Sequence, residues 1–215
     1  MNTANKLQDE WLLSYAAGAL NPGRSLMVAA HLAYHDDLQE VVADAESVGG
    51  ALLESMRSPD VSDQVLEQLM ARLDDAAPEE ISPVATDGRS YPQPLIDFIG
   101  TDMDSLNWRF MGPGMHNARL WNGPNDERLW LLKARGGIMV PEHGHNGEEW
   151  TLVLKGSYQT KLGQYGAGEI DIVNDDIIHQ PIIDPDEECI CLVMTEGPIR
   201  MQSLVGKLAQ PFIGL

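Results

Sequence analysis

Positive charge is scarce in this chain of 215 residues: Lys and Arg total 14 against 33 Asp and Glu, a net charge of -19. Nucleic acid and anionic membranes both reward basic surfaces, so neither is expected as a direct partner, and a basic protein partner fits better. Long apolar runs are missing as well. No stretch approaches the roughly 18 to 20 apolar residues that span a bilayer, and "MNTANKLQDEWLL" lacks the basic segment followed by an apolar run that a secretory signal needs. These absences predict a cytoplasmic protein. Cysteine occurs only at Cys189 and Cys191. In an extended strand their Cα atoms would lie about 6.5 to 7 Å apart, at or beyond the disulfide limit. Two reduced thiols in a core strand are therefore expected, in a reducing compartment. There is no internal repeat and no low-complexity tract.

What is present changes character near residue 80. Leu12, Leu13, Ala16 and Leu20 recur at helical spacing and stop at "NPG", where Pro22 and Gly23 break the pattern. A second helix is expected from about Ser25 to Ser47, carrying Leu26, Ala30, Ala33, Leu38, Val41 and Ala45, with Gly49 and Gly50 interrupting it. A third begins near Ser62 and sets Val65, Leu66, Leu69, Met70 and Leu73 on one face. So few short amphipathic helices cannot hide their own apolar faces, and are expected to complete their core against something else, either a metal or a partner. The Pro- and acid-rich stretch that follows reads as a linker. Beyond it "RLWLLKA", "EWTLVLKG", "EIDIV" and "CICLVMTEG" are short β-rich runs between turn residues, the pattern of a sandwich or barrel. The expected fold is α+β in two domains. Residues 1–78 form a small helical bundle, 79–94 a linker and 95–215 an antiparallel β-barrel or jelly roll.

One constellation carries chemistry. In "VPEHGHNGEEWTLVLKG", His143 and His145 stand at i and i+2, so a strand points both the same way. Glu149 follows the "NG" turn signal and heads the next strand, and His179 offers a third imidazole. Three imidazole nitrogens and a carboxylate suit one first-row divalent ion such as Zn, Fe, Mn, Ni or Cu. The order is Gly137, five residues, His143, one, His145, three, Glu149, six, Gly156, which is the first cupin motif in full. A weaker second motif runs from Gly168 to His179, with Asn174 at the usual proline, Asp176 at the usual glycine and Ile183 at the usual asparagine. The resemblance implies an RmlC-like cupin barrel with His143, His145, Glu149 and His179 as metal ligands. His116 in "GPGMH" matches neither motif and reads as a loop histidine.

The front half adds a second resemblance. "LLSYAAGAL" followed by "VAAHLAYHDDLQE" is similar to the zinc-binding anti-sigma domain, and the ending "CICLVMTEGPIRMQSLVGKLAQPFIGL" also fits the ChrR-type anti-sigma factors, so the likeness runs over nearly the whole chain. It implies helices that hold an extracytoplasmic-function (ECF) sigma factor inactive between its two promoter-binding regions. It also implies a cupin half needed for release by singlet oxygen or organic peroxides, with zinc the first choice of metal. A homodimer through the cupin fits the same class. The family's helical zinc site uses an upstream His, then His-x3-Cys-x2-Cys; here His31 remains, while His35, Leu38 and Lys6 stand at the other three positions. His31 and His35 would share a helical face at i, i+4, with Asp9, Asp36 or Asp37 available for a weaker site, and apolar packing is the other outcome. Residues 1 to 80 hold Lys6, Arg24, Arg57 and Arg72 against fifteen Asp and Glu, a net -11, which complements the basic DNA-binding surfaces of sigma factors.

Two other readings fit the motif. One is a metal-dependent cupin enzyme, a dioxygenase or hydrolase; nothing else in the chain supplies a convincing acid–base pair or nucleophile, since Glu148 faces away from Glu149 on its strand. The other is a binding module for a sugar or small acid, with Arg128, Lys133 and Arg135 on or beside one strand.

Overall fold

The structure, a computed structural model, describes residues 5–58, 60, 62–74 and 91–202. Five helices come first: α1 (Asp9–Ala16), α2 (Pro22–Leu32), α3 (Asp36–Ser55), α4 (Asp63–Asp74) and α5 (Gln93–Ile99). The first ends earlier than its apolar spacing suggests, because Gly18 takes a left-handed φ of 65° and puts Leu20 outside the helix. Asn21 and Pro22 then act as a start signal: the Asn21 side chain accepts from the Arg24 N–H at 2.8 Å, and proline occupies the first turn, where no donor is needed.

The single helix expected over 25–47 is two. Ala33 and Tyr34 leave α2, and His35 is the extended N-cap residue of α3, with φ -139°. Asp36 and Asp37 in the first turn favour a start there by complementing the helix dipole. Conversely, α3 runs straight through Gly49 and Gly50. Each glycine costs about 1 kcal/mol relative to alanine, which is too little to stop a helix of 20 residues with good helix formers on both sides. Of the expected linker, residues 79–90 lie outside the described residues. Helix α5 begins at Gln93, packs on α2 and buries Leu95 and Ile96.

Among the described residues the β half has eleven strands: β1 (Arg109–Gly112), β2 (Met115–Asn122), β3 (Arg128–Ala134), β4 (His143–Gly144), β5 (Glu149–Lys155), β6 (Ser157–Gln159), β7 (Gln164–Gly166), β8 (Ile170–Val173), β9 (Ile182–Ile183), β10 (Cys189–Thr195) and β11 (Arg200–Met201). All pair antiparallel. The main sheet has the order β1-β2-β3-β10-β5-β8, with smaller sheets β11-β4 and β7-β6-β9. His116 belongs to β2 rather than to a loop; it is half-buried, with its ring edge-on to Phe110.

The central strands are buried on both faces, and the period of two assigns each face a job. In β10, Cys189, Cys191 and Val193 face the barrel interior, while Ile190, Leu192 and Met194 join a core formed with Leu12, Met27 and Leu95 of the helices. In β5, Trp150, Leu152 and Leu154 lie under the helices and Val153 points inward. The helices complete their core against the outer face of the barrel. Cys189 and Cys191 are free and buried, with sulfurs 3.5 Å apart.

Candidate metal centre

Short elements bring the four expected ligands together. The backbone N–H groups of His143 and His179 each donate to the other's carbonyl at 3.0 Å, which fixes β4 against the second motif. His145 lies just beyond β4, and Gly147, at φ 87°, turns the chain so that Glu149 opens β5. The second motif keeps its turn despite its substitutions: the Asn174 side chain accepts from the Asp176 N–H at 3.1 Å, a local turn that replaces the usual proline.

The ligand atoms of His143, His145, Glu149 and His179 all lie within 4.8 Å of one another, and all four residues are buried. His179 Nε2 stands 3.2 Å from His143 Nε2, 3.1 Å from His145 Nε2 and 3.6 Å from Glu149 Oε1. Nitrogens bound at roughly 2.0–2.1 Å to one ion lie about 3 Å apart, so these separations fit a shared cation. His143 Nδ1 donates to the Pro141 carbonyl at 2.8 Å, which leaves its Nε2 lone pair facing the cluster. Burial first, and the neighbouring imidazoles second, lower His145 to about 3 and His179 to about 4; burial also lowers His143. All three are thus held in the neutral form that binds metals. Glu149 is pushed up to about 8, by burial and then by the charge of Asp171. A divalent cation reverses that penalty by favouring the carboxylate. The donor set therefore fits a divalent ion.

Beside the cluster is a cavity of about 60 Å³, lined by Met111, Met115, Trp130, Tyr158, Cys191 and Met201 with three of the four ligands. It has room for a few waters or a diatomic molecule but falls far below the roughly 300–1,000 Å³ of typical ligand sites. Arg128, Lys133 and Arg135 do not line it, and Lys133 sits over the Trp108 ring at 4.3 Å.

The helical half assembles no second centre among the described residues. His31 and His35 stack at 4.4 Å, but across the α2–α3 break rather than along one helix. His31 Nε2 accepts from the Leu7 N–H at 3.4 Å, His35 Nε2 contacts the Gly168 carbonyl at 2.8 Å, and Lys6 pairs with Asp37 at 2.7 Å. Leu38 is buried in the hydrophobic core of the helices. An ion pair, hydrogen bonds and apolar packing thus occupy the positions of the helical zinc site. Sequence reasoning missed the meeting of Arg24 with Glu148 and Glu196 between the two halves, beside Trp11; no local pattern pairs Arg24 with residues 124 and 172 positions away.

Helices packed on the outside of a barrel with this buried cluster define a cupin joined to a helical module. Residues 97–199 match the family model described as "ChrR Cupin-like domain". The anti-sigma-E factor ChrR of Cereibacter sphaeroides is 36% identical over 212 residues, covering 99% of each chain. The crystal structure of Rhodobacter sphaeroides SigE in complex with the anti-sigma ChrR is similar at a TM-score of 0.76 and 34% identity, over 89% of this chain and 98% of that one. This chain belongs to the ChrR family of anti-sigma factors, which are regulators rather than enzymes.

Proposed function

We propose that this protein is a cytoplasmic anti-sigma factor that holds an ECF sigma factor inactive with its helical half. The cupin half carries one divalent ion, zinc as first choice, on His143, His145, Glu149 and His179. The division of labour follows the chain: residues 1–78 bind the partner, 79–94 connect, and 95–215 sense an oxidant or small ligand. The observation that carries the reading is an apolar surface left open on two helices. Val48, Leu52, Leu53 and Met56 at the end of α3 and Val65, Leu66, Leu69 and Met70 on α4 are 46–70% exposed. A run of this kind, set in an acidic module, marks a protein interface. The solved complex of a 34% identical relative with its sigma factor supplies the kind of occupant. No described helix is long and apolar enough to cross a membrane.

Where an ECF sigma factor is encoded beside the gene, the test is co-expression with it, then co-purification and metal analysis. A one-to-one complex with about one metal per chain is expected. His179→Ala should lower metal affinity by more than the roughly 10–100-fold caused by losing an outer hydrogen-bond partner of a ligand, and leave sigma binding intact while blunting the response to oxidant. Failure of the folded wild-type protein to bind the sigma factor overturns the reading.

A further inference from the structure

Glu148 and Glu149 are neighbours, yet the strand period turns them in opposite directions. Glu149 points into the barrel among the imidazoles, and Glu148 points out toward the helices. There Glu148 Oε2 accepts from Arg24 Nη2 at 2.9 Å and from Trp150 Nε1 at 3.1 Å. The same Arg24 nitrogen donates to Glu196 Oε1 at 2.5 Å, and Glu196 Oε2 accepts from the Glu148 backbone N–H at 2.9 Å. The guanidinium lies 4.8 Å from the Trp11 ring centroid and 5.2 Å from that of Trp150. One side chain of α2 therefore ties together α1, the first residues of β5 and the chain leaving β10. Gly147 belongs to this arrangement as well, since a Cβ there would stand 2.6 Å from Glu196 Oε2.

We propose that Arg24 is a positioning residue for the metal centre, through which docking of the helices and occupancy of the metal site strengthen each other. The proposal rests on the reading that the four-residue cluster holds a metal. The Arg24 side chain is 17% exposed, and the two carboxylates it joins share one backbone corner. Without the cation, like charges face each other where β5 begins, one residue from Glu149. Without the metal, the imidazoles and Glu149 lose their common partner, the start of β5 loosens, and Glu148 is no longer held for Arg24. Coupling between two sites is reciprocal: whatever factor docking adds to metal affinity, the metal adds to docking. Here the physical link is a single backbone step between Glu148 and Glu149.

The experiment uses the full chain with zinc as the probe. Zinc affinity is measured by chelator competition, and amide hydrogen exchange of α1 and α2 is followed with and without zinc. In the wild type, zinc should slow exchange in α1 and α2. Arg24→Gln should weaken zinc about 10-fold, the lower end of the range for lost ligand-supporting contacts, and abolish the zinc dependence of exchange. Arg24→Lys should fall between, because it keeps the charge without the planar fork. Glu148→Gln, which leaves the Arg24–Glu196 pair in place, should move both readouts the same way and decides the matter if Arg24→Gln does not fold. Lys6→Gln breaks the Lys6–Asp37 pair on the helices and should leave zinc affinity unchanged. Equal zinc affinity in wild type, Arg24→Gln and Glu148→Gln overturns the proposal, as does zinc binding that leaves α1 and α2 exchange unaltered. A wild-type protein that takes up no zinc or other divalent ion overturns the metal reading beneath it.

Discussion

His31 and His179 carry the same ring into opposite uses. His179 meets two other imidazoles and a carboxylate at distances suited to a shared ion, whereas His31 meets a backbone N–H and one other histidine. The sequence distinguishes them only partly, because the spacing around His143 and His145 is that of a full ligand set and the spacing around His31 is that of a broken one. Burial first, and the charge of His35 second, lower His31 to about 3 from an ordinary 6.5. The sign follows from linkage: the folded chain keeps His31 neutral, while the unfolded chain takes up a proton below pH 6.5. Stability from this group is therefore whole above that value and is lost as pH falls toward 3. By pH 5 the loss from His31 alone is about 2 kcal/mol, at 1.36 kcal/mol per pH unit. Urea unfolding of wild type and His31→Gln at pH 7 and pH 5 checks this. The variant should lose about 2 kcal/mol less on acidification, and equal losses would mean that His31 titrates normally in the fold.

At the scale of elements, legibility followed the kind of signal each segment carries. The strands read directly were β3, β5, β8 and β10, whose β-branched and apolar runs are bounded by turn residues. Strands of two or three residues such as β4, β9 and β11 leave no such run, and they exist because the barrel closes around them. The α2–α3 break was hidden because Ala33 and Tyr34 sustain the apolar period while a short turn at His35 restarts the helix. The candidate ligand set was legible because the first motif is local in sequence; the contact of Arg24 with Glu148 was not, since it joins residues 124 positions apart. Helix α4 gives the opposite lesson. Its apolar stripe was read as a face that the helices could not hide by themselves, and Val65, Leu66, Leu69 and Met70 are exposed. A stripe without a partner among the described residues is the feature that a second protein would cover. Leu53→Glu and Leu66→Glu should accordingly change unfolding free energy by no more than about 0.5 kcal/mol, as surface substitutions do. Each should weaken the sigma complex by about 30-fold or more, the scale of a 2 kcal/mol hot spot. Calorimetric unfolding and titration of the complex separate the two effects; parallel loss of both would make the stripe structural.

For the whole molecule, the net charge of -19 is unevenly placed, with -11 in the first 80 residues. Within the described residues the helices answer little of this with internal pairing: Lys6 is tied to Asp37, and Arg24 is turned inward to Glu148 and Glu196 of the barrel. Most acidic groups of α3, including Asp37, Glu40, Asp44 and Glu46, stand exposed to solvent. Such a field adds little to fold stability, since exposed pairs contribute about 0–1 kcal/mol and like charges repel. Under the proposed function its use lies in encounter. A partner with a basic DNA-binding surface is drawn along the field before the apolar ridge closes, so charge governs the approach and the α3–α4 stripe governs residence. Because the Debye length shrinks from about 10 Å at 0.1 M salt to about 3 Å at 1 M, the association rate constant for the sigma factor should fall at least 10-fold between 50 mM and 500 mM NaCl, with dissociation changing less than 3-fold. Stopped-flow mixing over that range resolves both constants. A flat association rate, or a salt effect confined to dissociation, would assign the acidity to solubility and leave recognition to the apolar ridge alone.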